Sequence, residues 1–253
     1  MKARSFFQVS LILFALGLSA CATTQPDVGD ETATRQLSDV LPAGDEIVVK
    51  DFYDPWEGYN HWMYNFNARF DRYIFIPTVN AYKSVVPGIA RTGIHNFFKN
   101  LGEFSNLANL LLQAKPTQFG RTFGRLVVNS TIGIGGLMDP ATSFGLYHQN
   151  EDFGQTLGHW GLGPGPYFIL PIVGPSTLRD APSKIIDRIF HPVYEPVPWL
   201  VDIKSEEQLA LGLLNGVDTR ANIGFRYYEM GSPFEYYWIR NFWLEYRKLQ
   251  ISK

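Results

Sequence analysis

Few residues in this chain have the types and spacing to do chemistry, and they speak mainly for what is excluded. Asp54 with Glu57, and Glu151 with Asp152, are acid pairs close enough in sequence for general acid and base work. Both pairs fall at predicted helix starts. There a carboxylate accepts free backbone N–H groups and sits well in the helix dipole, so capping accounts for them. The five histidines, His61, His95, His148, His159 and His191, include no His-Glu-x-x-His and no pair at i, i+4, so the usual zinc-ligand spacing is missing. Gly161-x-Gly163-x-Gly165 has the opening spacing of a dinucleotide loop, but Pro166 stands where the final glycine belongs and no βαβ unit surrounds it. There is no Gly-x-Ser-x-Gly nucleophile elbow. Arg179-Asp180 reads as a turn tie. The expectation is a protein that is not an enzyme and holds no cofactor and no metal. A lipid or cell-wall hydrolase using an unrecognised carboxylate pair is the catalytic alternative.

One residue does carry a definite chemistry. Cys21 is the only cysteine and closes an apolar run at Leu18-Ser19-Ala20-Cys21. Lys2 and Arg4 precede about a dozen mostly apolar residues, the build of a secretory signal. The run is shorter than the roughly 20 residues a spanning helix needs. Its ending resembles the lipobox of bacterial lipoproteins, in which the cysteine is lipidated and becomes the new N-terminus. In that pattern Ala22, rather than Asp, implies passage to the outer membrane. The other reading is an ordinary signal with an incidental cysteine.

Two of the 22 basic residues leave with the signal, so against 24 acidic residues the remaining chain is more negative than the formal −2 of the whole. That argues against nucleic acid, which needs a concentrated basic surface. With Cys21 used for lipid, no disulfide can form within the chain, and stability rests on packing. Aromatic residues make up 15% of the sequence. This suits either an aromatic-rich core or side chains at a membrane interface, where an apolar ring and a polar tip meet different media.

Residues 1–20 are read as the signal, 21–51 as a lipidated N-terminus and flexible polar tether, and 52–253 as one folded domain. Asp54-Pro55-Trp56-Glu57 looks like a capping box. Behind it Trp56, Tyr59, Trp62, Met63, Phe66, Phe70, Tyr73 and Ile74 recur at steps of three and four, which predicts an amphipathic helix ending near Pro77. Further apolar stripes run through Ile89, Ile94, Phe97, Phe98 and Leu101, then Leu107, Leu110 and Leu111, then Phe119, Phe123, Leu126 and Val127 behind Pro116. A helix is predicted from Ser205-Glu206-Glu207-Gln208 through Phe225 and Tyr228 to a stop at Gly231. Ser232-Pro233-Phe234-Glu235 starts the last, with Trp238, Phe242, Tyr246 and Leu249. Alternating strand patterns are scarce, so the domain is expected to be mostly α. The exception is residues 161–175, rich in glycine and proline among large apolar residues. They cannot continue a helix, and read as a pore rim or a buried hairpin; a tight turn inside a soluble core is the plainer alternative.

Together these segments resemble the MlaA family of outer-membrane lipoproteins, from Asp54 to about Lys248. The resemblance rests on Asp54-Pro-Trp-Glu-Gly-Tyr-Asn60, Asn65-Phe66-Asn67, Asp71-Arg72-Tyr73 and Asn96-Phe97-Phe98-Lys99-Asn100-Leu101. It continues through Leu111-Leu112-Gln113, Arg125, Asn129-Ser-Thr-Ile-Gly133 and Gly135-Gly136-Leu137. Its most specific block is Glu151-Asp-Phe-Gly-Gln-Thr-Leu-Gly158, Trp160-Gly161, Gly165-Pro166-Tyr167, Leu170-Pro171, Gly174-Pro175-Ser176 and Arg179-Asp180. Phe104, Ala114 and Ala181-Pro182-Ser183 depart from the pattern, as does the bulk of Tyr236-Tyr237 and Phe242-Trp243.

The resemblance implies a helical ring lying in the plane of the inner leaflet of the outer membrane, with a central amphipathic channel. It implies removal of mislocalised phospholipid from the outer leaflet and delivery to a soluble periplasmic lipid carrier, in association with a trimeric porin. Candidates for the lipid path are Asn65, Phe66, Asn67, Phe97, Phe98, Phe153, Gly154, Gln155, Thr156, Gly161, Gly165 and Tyr167. A structural porin-binding adaptor without transport activity is the alternative. The lipidation site is directly testable: Cys21→Ala is expected to abolish lipid labelling and to leave an unprocessed or mislocalised chain. Normal processing and outer-membrane fractionation of that variant would refute the lipobox reading.

Overall fold

The computed structural model describes residues 54–189 and 205–253. Cys21, the signal, the tether and His191 lie outside the described residues. Helix α1 (Glu57–Phe70) runs through a π-helical turn (Asp71–Phe75) straight into α2 (Ile76–Val85). Then come α3 (Gly88–Leu112), α4 (Pro116–Thr131), the single turn α5 (Pro140–Ser143) and α6 (Phe153–His159). A hairpin of β1 (Tyr167–Leu170) and β2 (Gly174–Thr177) follows, then α7 (Asp180–Ile189), α8 (Ser205–Asn222) and α9 (Glu235–Ile251). Helix α3 packs along α4 and also meets α6 and α8; α8 lies on α2, α1 on β1, and α9 on α6. The result is one mostly helical domain, as the apolar periodicity predicts.

Several local expectations are corrected. The helical path does not stop at Pro77 but continues to Val85. The proline falls in the first turn of α2, where a missing N–H is cheapest, and the widened π turn before it relaxes the backbone ladder. The stripes on either side of Gly102 belong to one 25-residue helix, α3. Helix α8 ends at Asn222, short of Phe225 and Tyr228, because the Arg220 guanidinium takes the carbonyls of Ile223 (3.0 Å) and Phe225 (3.1 Å) as acceptors. Asp54 and Glu57 form no capping box. The helix starts at Glu57 behind Trp56 with no side-chain cap, and both carboxylates are engaged by α9, Asp54 by Arg240 and Tyr236, Glu57 by Tyr237. Glu235 likewise looks away from its own helix start, accepting from the Tyr64 hydroxyl (2.5 Å) and the Tyr228 amide (2.6 Å). Asp152 does cap α6, accepting from the Gln155 amide at 2.8 Å.

On α1, α4 and α9 the apolar stripes point largely outward, whereas on α3 Phe98 and Leu110 are buried. On α1 the buried face is Asn60, His61, Met63, Tyr64, Asn67 and Ala68, while Trp62 is 62% exposed. Helix α4 buries Thr122, Arg125 and Asn129 and exposes Phe123 and Val127. On α9 Trp238 and Phe242 are 61% and 64% exposed, and Arg240, Arg247 and Gln250 are inside. Across the described residues, buried polar and charged side chains outnumber buried apolar ones. The apolar core is small and tyrosine-rich, built from Met63, Tyr64, Tyr167, Ile169, Tyr236 and Leu244 with their neighbours.

Residues 161–175 form an exposed turn, strand β1, the tip of the hairpin and the first two residues of β2. Tyr167 pairs with Thr177 and Ile169 with Pro175, and Tyr167 and Ile169 are buried. Helix α1 serves as a surrogate third strand. Asn60 accepts from the Ile169 amide (2.8 Å) and donates to the Tyr167 carbonyl (3.2 Å). Asn67 accepts from the Ile172 amide (2.7 Å) and donates to the Leu170 carbonyl (2.9 Å). The spacing works because seven residues of helix rise about 10.5 Å, close to the roughly 10 Å spanned by three residues of strand. Asn60→Ala orphans a buried amide and a buried carbonyl together, and is expected to cost about 1–3 kcal/mol. Thermal unfolding of the full chain in detergent micelles, followed by circular dichroism, measures it; an unchanged midpoint would contradict the surrogate-strand arrangement.

Candidate functional site

The polar interior is built from residues that three helices turn away from the apolar surface. Arg125 on α4 is its centre. Its Nε donates to Glu103 Oε1 of α3 at 2.9 Å, Nη1 to Thr142 Oγ1 at 3.1 Å and to the Leu146 carbonyl, and Nη2 to Asp139 Oδ2 at 3.2 Å. Glu103 also meets His148 Nδ1 at 2.9 Å and accepts from Asn106 at 2.8 Å. Burial alone would raise the Glu103 pKa; the bonds from His148, Asn106 and Arg125 outweigh it and hold the pKa below the usual range. For Asp139 the same contest, with Thr142, Asn129 and Arg125 opposing burial, leaves a pKa of about 2.

A second cluster links α3 to α6. Gln113 donates to Glu151 (3.0 Å) and Thr156 (3.1 Å), Thr156 donates to Asn109 (2.9 Å), and Asn109 donates to Asp187 of α7 (2.9 Å). Burial raises the Asp187 pKa. A third cluster ties α9 to α6 and α7: Arg247 reaches Asp152 at 2.7 Å and Asp180 at 3.1 Å, and Arg179 holds Asp180 at 2.8 Å. Each carboxylate of the acid pairs is thus bonded to a partner. Among the described residues no group of three or more His, Cys, Asp or Glu side chains could hold a metal ion. No helix among them is long and apolar enough to cross a membrane.

The lipid-path candidates are spread through this framework rather than gathered at one point. Asn67 clamps the hairpin, and Asn65 accepts from the Tyr228 hydroxyl. Phe66 stands on the outer face of α1. Phe97 and Phe98 are edge-to-face neighbours on α3, with Phe98 buried. The α6 group is the coherent one. The Phe153 amide donates to Asp187, Gln155 and Thr156 are buried in the network, and Gly154 lies so close to Asp180 and Arg247 that a Cβ would fall 2.4 Å from the carboxylate. Gly161 and Gly165 both have positive φ in the exposed turn, and a Cβ on Gly161 would meet nothing within 4 Å. Tyr167 is fully buried against Tyr236 and Trp243. Glu103, Asp139, His148, Asp187 and Arg247 are absent from the sequence-derived candidates. For Glu103 the signal was a polar repeat at helical spacing, 103, 106 and 109 on α3 and 113 just past its end, matched by 122, 125 and 129 on α4; the other four belong to neither repeat.

Residues 52–250 match the family described as MlaA lipoprotein. The chain belongs to the MlaA lipoprotein family. It is 38% identical over 174 residues to the intermembrane phospholipid transport system lipoprotein MlaA of Escherichia coli strain K12, covering 67% of this chain and 66% of that protein. The chain thus spans about two thirds of the length of that relative. The protein of the same description from Haemophilus influenzae is 28% identical over 198 residues, 76% of this chain and 71% of that one. A solved structure reported as the structural basis for maintenance of bacterial outer membrane lipid asymmetry superposes with a TM-score of 0.62 and 30% identity, covering 79% of this chain and 100% of the other.

Within this MlaA-family domain the Arg125 cluster is the part whose loss should be most visible. Arg125→Ala leaves Glu103 buried without its guanidinium and is expected to cost about 3–5 kcal/mol. The double variant Arg125→Met with Glu103→Leu should recover part of that loss, because neither charge then stays stranded. Equal unfolding midpoints for wild type and Arg125→Ala in detergent would overturn the assignment.

Proposed function

We propose that this chain is an outer-membrane lipoprotein that removes mislocalised phospholipid from the outer leaflet and passes it to a soluble periplasmic carrier, so maintaining lipid asymmetry. Residues 1–20 direct export, Cys21 carries the lipid, 21–51 form the tether, and the domain from residue 52 onward lies in the plane of the inner leaflet as a ring around an amphipathic channel, beside a trimeric porin. The single observation that supports this best is the inverted distribution of side chains, with aromatic stripes outside and charged residues inside. Soluble monomers rarely expose contiguous apolar patches of more than a few hundred Å². An apolar belt of this kind suits a hydrocarbon surrounding, and the names of the relatives point to the same task.

The physics of the task asks for no bond chemistry. A charged headgroup is expensive to move through hydrocarbon, and a path with a polar lining inside an apolar belt lowers that barrier. The direction then comes from the downstream sink. The path is proposed to run beside Asn65, Asn67, Phe97 and Phe98 and past the α6 group from Phe153 to Thr156, with Gly161, Gly165 and Tyr167 shaping its hairpin side.

Reconstituted full-length protein, given labelled phospholipid and an acceptor carrier, is expected to deliver the lipid intact. A deletion strain carrying Trp238→Asp with Phe242→Asp should become detergent-sensitive, because a charge on the belt opposes its insertion. Appearance of lyso product would replace transport by hydrolysis. Porin binding with no lipid movement would leave only the adaptor.

A further inference from the structure

A half-open apolar cavity lies away from the polar clusters, between the π-helical turn, the tip of the hairpin, the segment after α8 and the outer part of α9. Its volume is about 320 Å³, the lower end of the 300–1,000 Å³ typical of ligand sites. Phe70, Phe75, Ile169, Ile239 and Trp243 form its walls. At its rim Ile172, Val173, Ile223, Phe225 and Phe242 both line the cavity and are exposed on the apolar surface. We propose that this cavity takes one acyl chain of a phospholipid, entering sideways from the surrounding hydrocarbon between the hairpin tip and Phe242.

Three observations carry this. First, the rim residues are themselves exposed apolar side chains, so a chain in a surrounding hydrocarbon phase can enter past apolar groups alone. Second, the charged residues of the lining cancel. Arg220 is paired bidentately with Asp71, at 2.5 and 2.7 Å, and its remaining bonds go to the Ile223 and Phe225 carbonyls. Among the described residues no free cation is left in the lining to draw a phosphate inward, so the cavity suits a hydrocarbon tail and not a headgroup. Third, the rim is held in a strained shape. Ile172, a β-branched residue, has φ 65° in a turn closed by the Val173 amide on the Pro171 carbonyl at 2.7 Å. Asn67 pins that turn through the Ile172 amide at 2.7 Å. Such strain persists where surrounding structure over-determines it, commonly at ligand clamps. The cavity is distinct from most of the proposed lipid-path residues; Asn67 and the hairpin connect the two.

The inference rests on the proposed lipid function for the identity of its ligand, and its test separates the two. The full lipidated chain is placed in vesicles containing a phospholipid with a diazirine in one acyl chain, irradiated, and its cross-linked peptides are mapped. Label should concentrate on the 64–75 and 223–243 regions. Filling the cavity from either wall, by Ile239→Trp or independently by Phe75→Trp, should reduce that label to background while Ile185→Trp, elsewhere on the surface, leaves it unchanged. Label spread evenly along the exposed belt, or undiminished in both filled and folded variants, would overturn the proposal. So would label that appears in the cavity only in Cys21→Ala, since the chain's own lipid would then be the occupant. If wild type captures the chain in the cavity but moves no phospholipid to a carrier, the site stands and the transport reading falls.

Discussion

A buried charge must find its partner, and this domain depends on that requirement more than on an apolar core. Arg125, Arg179, Arg240 and Arg247 are almost fully buried, and each meets a carboxylate. Arg125, Arg240 and Arg247 do so on another helix or loop, and the largely buried Arg220 ties α8 to the π-helical turn in the same way. With the large apolar stripes turned outward, the hydrophobic effect has little inside to collapse around. Ion pairs of this kind are seldom more stabilising than well-packed hydrocarbon would be, but breaking one strands a charge at a cost of several kcal/mol. An arrangement that misplaced one helix would strand several charges at once.

The tyrosines extend the same logic into the apolar core. Tyr64 sits edge-to-face against Tyr227, Tyr228 and Tyr236, and its hydroxyl donates to Glu235. Tyr236 and Tyr237 hand their hydroxyls to Asp54 and Glu57, and Arg240 lies over both rings. An aromatic ring supplies packing area while its polar tip discharges a requirement elsewhere. That is how α1 and α9 stay together with few aliphatic contacts. On the other side of α1, two asparagine amides take the place of a missing strand and hold the hairpin whose tip closes the acyl-sized cavity.

This division of labour bears on the proposed task. A lipid path needs a polar lining that does not collapse and an outer belt that does not repel hydrocarbon. The polar clusters on α3, α4, α6 and α9 are cross-braced through Arg125, Asn109 and Arg247, so rigidity does not come at the expense of polarity. The cavity near Phe242 divides a phospholipid by chemistry, offering hydrocarbon walls to a tail and no uncompensated charge to a headgroup.

Much of the domain was legible in the sequence. Apolar recurrence at three and four residues marked the helices, Pro116 marked the start of α4, and the block from Glu151 to Asp180 marked the family. The glycine and proline content of residues 161–175 excluded a helix there. What periodicity records, however, is that a helix has two unlike faces, not which face turns inward. Only the tertiary structure decided that here. It also decided that Asp54 and Glu57, besides their local partners, reach Arg240 and Tyr237, some 180 residues away. Arg220, likewise, ends α8 by claiming carbonyls beyond it. Local propensity competes at a few tenths to about 1 kcal/mol per residue, and the cost of leaving a buried charge unpaired, about 3–5 kcal/mol, exceeds it. The sequence by itself therefore determined the elements and the family, whereas the pairing of distant charges determined which face is the inside.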